Sequence, residues 1–178
     1  MERVILVDES DREVGTDEKG AAHAAGRLHR AFSIFVFDRT GRLMLQRRAA
    51  GKYHSAGRWS NTCCGHPRPG ETVEQAAHRR LREEMGFDCR LVEVARYRYT
   101  AHLEGGLVEN EIDHLLAGEF DGPPSPDPAE AESWRWADPR RLLRQIAAAP
   151  QRFTAWFRGS LEEVLGATAA ATARAARE

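Results

Sequence analysis

Two glutamates, Glu109 and Glu111, stand two apart in Val108-Glu109-Asn110-Glu111, a run that reads as a strand. Strand side chains alternate between faces, so both carboxylates point the same way and one ion can take both. A second acidic pair, Glu83 and Glu84, lies in a charged helical stretch with Arg79, Arg80 and Arg82. Acidic residues one turn apart on a helix present oxygens on one side, which suits a hard cation such as Mg²⁺, and Glu84 is the candidate for that role. The three cysteines are Cys63, Cys64 and Cys89, an odd number with two adjacent in sequence. That is a poor disulfide framework, and reduced cytoplasm is the expected compartment.

The elements that must position these groups are legible from patterning. Val73, Ala76, Ala77, Leu81 and Met85 fall on one side of a helix over 73–85, with Thr72 and Gln75 spaced as a capping box and Gly86 as a left-handed stop. Strands are expected over 4–7 and 31–37, then 43–46 after the turn Asp38-Arg39-Thr40-Gly41, and further strands near 91–100, 108–120 and 133–136. Residues 121–132 carry four prolines and read as a surface loop. Asp138-Pro139 reads as N-cap and N1 of a helix to about 148, and another helix begins near Phe153.

At 178 residues the chain is expected to be one domain, over 1–166, with an alanine-rich tail over 167–178 to which no function is assigned. The fold class is α/β (α+β), a mixed sheet with helices. Lys plus Arg number 26 against 27 Asp plus Glu, net -1, so no broad basic field exists for nucleic acid and any bound anion must be met locally. No apolar run is long enough for a membrane span or signal segment. Oligomeric state is left open.

The segment Gly65-His66-Pro67-Arg68-Pro69-Gly70-Glu71, seven residues, then Arg79-Arg80-Leu81-Arg82-Glu83-Glu84-Met85-Gly86-Phe87 resembles the Nudix box. The resemblance implies a mixed β-sheet sandwiched between α-helices. It departs at Arg80, where hydrolytic members have Glu. The carboxylate cluster that gathers metals for attack by water is thus depleted, and a guanidinium offers a planar fork for phosphate oxygens.

Four more stretches extend the likeness: Lys19-Gly20-Ala21-Ala22-His23, Arg27-Leu28-His29-Arg30-Ala31-Phe32-Ser33, Asn61-Thr62-Cys63-Cys64-Gly65-His66 and Val108-Glu109-Asn110-Glu111. Together they resemble the type I isopentenyl diphosphate isomerase family from about residue 4 to the region of Trp156. The resemblance implies an isomerase of isoprenoid precursor biosynthesis that takes isopentenyl diphosphate to dimethylallyl diphosphate. It implies His23, His29, His66, Glu109 and Glu111 as ligands of one ion, and their mixed nitrogen and oxygen donors suit Zn²⁺ or Mn²⁺. It further implies Cys64 and Glu111 as catalytic groups, with Tyr99 beside Glu111, and Lys19, Arg48, Lys52 and Arg80 as diphosphate contacts, with Arg47 the alternative to Arg48. Trp156 matches the tryptophan that faces the cation, and Trp59 is a further candidate for the pocket wall. His54, His78, His102 and His114 match no ligand position and read as ordinary core or surface histidines. Cys63, Cys89, Trp134 and Trp136 read as core.

The chemistry accounts for such a set. An unactivated alkene is a very weak base, so its protonation needs an acid held in contact in a dry site, and moving the double bond needs proton loss at another carbon. A tryptophan face attracts positive charge by roughly 0.5–2 kcal/mol. Which group is first acid stays open. Two rivals remain: a Nudix hydrolase of nucleotide or isoprenoid diphosphates, which Arg80 and the Cys64/Glu111 pair oppose, and a catalytically silent Nudix-fold binding module. The loops carrying Lys19, His23 and Lys52 are expected to close over the pocket.

Overall fold

In a computed structural model, which describes residues 2–175, strands β1 (Arg3–Val7) and β2 (Glu13–Glu18) form an antiparallel pair that runs directly into helix α1 (Lys19–Ala24). There follow β3 (His29–Phe37), β4 (Leu43–Arg48), the short β5 (Trp59–Ser60) and β6 (Cys63–Gly65), and helix α2 (Val73–Met85). The chain continues through β7 (Leu91–His102), β8 (Val108–Glu119), β9 (Ala131–Ala137), α3 (Pro139–Ala148) and α4 (Ala155–Ala175).

β3 is the hub. It runs parallel to β8 from His29↔Glu111 to Phe37↔Glu119, and antiparallel to β6 at Phe32↔Gly65, Ser33↔Cys64 and Ile34↔Cys63. Because Phe32 and Ser33 pair with both strands, β6 and β8 occupy opposite edges of β3. β7 pairs with β8 and sets Tyr99 opposite Glu111. The sheet is mixed, and its central strand is apolar on both faces because helices cover both. Phe32, Ile34 and Val36 pack with Leu81 and Met85 of α2, while Phe35 packs with Leu142, Phe157 and Leu161 of α3 and α4. The two-residue period separates the adjacent cysteines: Cys63 joins the α2 core and Cys64 the α4 side.

α2 has the bounds its patterning predicts. Thr72 Oγ1 accepts from Gln75 N, Gln75 Oε1 accepts from Thr72 N, and Gly86 turns left-handed at φ 72°. A Cβ at Gly86 would also stand 2.3 Å from the Ser125 carbonyl oxygen, so glycine is needed for conformation and for space. Ser125 N and Asp127 N donate to the Met85 and Glu84 carbonyls at 2.9 Å, so the proline-rich loop satisfies the end of α2 rather than floating free.

Two features differ from expectation, and a third concerns the alanine-rich end. α1, β2, β5 and β6 had no readable pattern, because each is short and formed by tertiary pairing rather than by its own periodicity. Lys19 and His23 therefore ride on a helix, not a loop. The last helix starts at Ala155, after a 3₁₀ turn over Pro150–Arg152, and continues unbroken past residue 166 to Ala175; residues 176–178 of the alanine-rich tail lie outside the described residues. No helix among the described residues is long and apolar enough to cross a membrane.

Candidate active site

The parallel pairing of β3 and β8 sets His29 directly across from Glu111. His66, just past β6, and His23, on α1, complete a buried group. The three Nε2 atoms lie 3.0 Å (His66), 3.2 Å (His29) and 4.0 Å (His23) from Glu111 Oε1, and four possible ligand atoms fall within 4.8 Å of one another. Donors bound to one ion at about 2.1 Å stand roughly 3.0–3.4 Å apart, so this spacing suits a transition-metal ion. His29 Nδ1 lies 2.7 Å from the Arg27 carbonyl oxygen, an acceptor only, which puts a proton on Nδ1 and aims Nε2 at the group. Burial, then the neighbouring His66 and His29, lowers His23 to about 3, so it is a neutral, ligand-ready imidazole. His66 Nδ1 is buried without a partner among the described groups.

Glu109 stands outside that group of four. The Tyr99 hydroxyl donates to Glu111 Oε2 at 2.6 Å and lies 3.0 Å from Glu109 Oε2. The shared face expected from the two-residue spacing is therefore real, but the carboxyls diverge in character. Burial works against charge on Glu111, yet the hydrogen bonds of His29 and His66 outweigh it and hold its carboxyl well below the usual range. Burial, then the nearby Glu111, pushes Glu109 well above it. One charged and one neutral carboxyl, bridged by a phenol, is an arrangement in which a proton has somewhere to go.

Cys64 enters from β6, half-buried, and lines the same cavity of about 570 Å³ as Tyr99, Glu111 and Trp156. Burial, then Glu84, pushes its thiol up, so it carries its proton at neutral pH and is a donor rather than a thiolate. Asn61 explains the start of the Asn-x-x-Cys motif. Its amide donates to the Ile34 and Cys63 carbonyls at 3.2 and 2.7 Å, and its oxygen accepts from Trp156 Nε1 at 3.1 Å. The Arg48 guanidinium lies 5.2 Å from the Trp156 ring centroid.

The other end of the cavity is lined by three of the expected cations, each already in an ion pair. Lys19 pairs with Glu2 at 3.0 Å, and Lys52 pairs with Glu130. Arg80 reaches Glu83 at 2.7 Å, Glu84 at 2.5 Å and Glu130 at 3.1 Å. Glu84 also accepts from Gln46 Nε2 at 3.0 Å. Arg80 is thus not a free fork but the centre of a carboxylate cluster. Arg47 points away and pairs with Glu132, leaving Arg48 as the cavity residue.

Trp59 is not part of the wall. Its ring stacks on Arg135 at 4.4 Å and packs against the α3/α4 core, on a strand, β5, that pairs with the edge of β4. Conversely, His54 is a site residue that sequence reasoning passed over. It is buried, edge-on to Trp156 with centroids 5.9 Å apart, and its Nε2 is 3.9 Å from Glu109. Burial, then Arg48, lowers it to about 4. Tyr53 Oη, 3.1 Å from His23 Nδ1, and the cavity-lining Glu2 and Glu130 were missed as well. His78 and His114 are tied to Asp88 and to Asp11 and Glu93, away from the cavity.

A family model described as NUDIX domain matches residues 27–157. The isopentenyl-diphosphate Delta-isomerase of Burkholderia multivorans is 55% identical over 161 residues, covering 90% of this chain and 92% of that protein. That of Serratia proteamaculans is 52% identical, over 88% of this chain and 87% of that protein. Among solved structures, DR0079 from Deinococcus radiodurans matches with a TM-score of 0.77 at 22% identity, covering 91% of this chain and 98% of that one, which shows the fold alone. With its box, its sheet and these relatives together, the chain belongs to the NUDIX domain family and, within it, to the isopentenyl-diphosphate Delta-isomerases.

Proposed function

We propose that this chain converts isopentenyl diphosphate to dimethylallyl diphosphate with Cys64 and the Tyr99–Glu111 pair as its proton-handling groups. The observation that carries the residue roles is topological. Cys64 arrives from β6 and Glu111 from β8, on opposite edges of β3, and both line one cavity. A proton delivered to the terminal alkene carbon leaves a tertiary cation at the adjacent carbon. Loss of a proton from the carbon on its other side places the double bond next to the carbon bearing the diphosphate. Acid and base must then stand apart, as these two groups do. Trp156, held by Asn61, supplies the aromatic face toward the developing charge.

The donor set of His23, His29, His66 and Glu111 fits Mn²⁺ or Zn²⁺, with Glu109 adjacent as a fifth candidate. Glu84, with the diphosphate itself, fits Mg²⁺. Bound ions would keep Glu111 oriented and offset diphosphate charge. Lys19, Arg48, Lys52 and Arg80 then meet the remaining phosphate oxygens, and the three cysteines, free thiols in the structure, suit a cytoplasmic enzyme.

The test is product analysis by mass-resolved chromatography of isopentenyl diphosphate treated with the purified, metal-supplemented protein. An isomeric diphosphate with no released phosphate supports the reading. Phosphate release without isomerisation replaces it with hydrolysis, the activity for which Glu83 and Glu84 of the box are suited.

A further inference from the structure

Glu130 lies at the end of the proline-rich loop, and its backbone is pinned: Glu130 N donates to Asp127 O at 2.9 Å, and its carbonyl accepts from Ala49 N at 3.0 Å. Its half-buried side chain enters the cavity and spans two elements. One carboxylate oxygen is 3.1 Å from Arg80 Nη2 on α2, and the other meets Lys52 Nζ on the loop between β4 and β5. Burial alone would raise its carboxyl, but the Lys52 hydrogen bond and the Arg80 charge outweigh that and leave it lowered, so it is ionised at neutral pH.

Lys52 and Arg80 on this wall are both held by Glu130, and Arg80 is also held by Glu84, while Arg79 beside them pairs with Glu71 and Glu83. A bare diphosphate arriving there finds Lys52 and Arg80 already paired. It must lift Glu130 off both, leaving that carboxylate near Glu84 with no partner in a half-dry cavity, where like charges repel strongly. A divalent cation arriving with the diphosphate removes the penalty, because carboxylate oxygens are what it binds.

We propose that Glu130 is the positioning carboxylate that makes diphosphate binding depend on Mg²⁺: it occupies Lys52 and Arg80 in the substrate-free protein and yields them to a diphosphate that brings its metal. This rests on reading that end of the cavity as the Mg²⁺–diphosphate subsite. By linkage, the same residue tightens Mg²⁺ binding when diphosphate is present.

The test is calorimetric titration of the full-length protein with inorganic diphosphate, with and without millimolar Mg²⁺. The wild type is expected to bind far more tightly with Mg²⁺. Glu130→Gln, which keeps shape and removes charge, is expected to tighten metal-free binding by about tenfold while changing binding with Mg²⁺ by less than about threefold. Glu130→Ala should behave alike if the glutamine variant folds poorly, and Glu132→Gln, paired with Arg47 outside the cavity, should change neither. Metal-free affinity in the Glu130 variants that equals or falls below the wild type overturns the proposal while leaving the subsite intact. Failure of the wild type to bind diphosphate even with Mg²⁺ overturns the subsite and the proposal together.

Discussion

The two ends of the cavity are built differently. At the histidine end, the groups given proton-handling roles ride on strands whose register aligns them: His29 and Tyr99 each face Glu111, and Cys64 sits opposite Ser33. At the cationic end, Lys19, Lys52, Arg80 and Glu130 come from α1, a loop, α2 and a second loop, and each is held by an opposite charge. Proton transfer to carbon tolerates little misplacement, so it is mounted on the sheet. Recognition of a diphosphate needs charge more than fixed angles, and it is left to elements that can shift.

That contrast makes ordered predictions. Glu111→Gln should cost the most, about 10³-fold in kcat, with Glu109→Gln at least tenfold milder; steady-state kinetics giving equal losses would erase the distinction between the charged and the neutral carboxyl. Cys64→Ala should lower kcat about 10²-fold or more with its melting temperature close to wild type, since the thiol is half-buried and makes no side-chain hydrogen bond among the described residues; full activity would remove the thiol from the chemistry.

Arg80→Glu acts at the other end. It places a fourth carboxylate beside Glu83, Glu84 and Glu130, so KM should rise about tenfold or more and the melting temperature should fall, while an unchanged KM would refute Arg80 as a phosphate contact. Stripping bound metal should lower the melting temperature as well: a site saturated a hundredfold over its Kd contributes about 2.7 kcal/mol, and readdition of Mn²⁺ or Zn²⁺ should restore it. A chelator with no effect on melting would leave the histidine group without a structural ion.

The smallest effect belongs to neither end. At the turn between β3 and β4, burial of Asp38 opposes its charge, but hydrogen bonds from Arg42 and Thr40 outweigh it and hold the carboxyl at about 2. A folded value below the unfolded one means stability that is present above about pH 4 and is lost as pH falls toward 2. Asp38→Asn should flatten acid unfolding in that window without touching activity.

How far the sequence was legible follows from these same differences. α2 could be bounded to the residue because the capping box, the apolar stripe and Gly86 are local signals. The common face of Glu109 and Glu111 needed only the strand period. His54 was indistinguishable from any surface histidine, because its place beside Trp156 depends on the loop after β4 folding back so that Arg48 can donate to the His54 carbonyl. Glu130 was hidden in the same way, inside a loop whose prolines say only that it is not a central strand. Trp59 shows the converse: proximity in sequence to the Asn61 motif suggested the cavity, but its ring stacks on Arg135, on a two-residue strand paired with β4.

The central claim is most directly tested by proton NMR of isopentenyl diphosphate incubated in D₂O with the purified protein and Mg²⁺, beside its Glu111→Gln variant. The account predicts dimethylallyl diphosphate carrying deuterium in a methyl group from the wild type, and almost none from the variant. Substrate recovered unchanged from metal-loaded wild type, or product lacking deuterium from solvent, would contradict it.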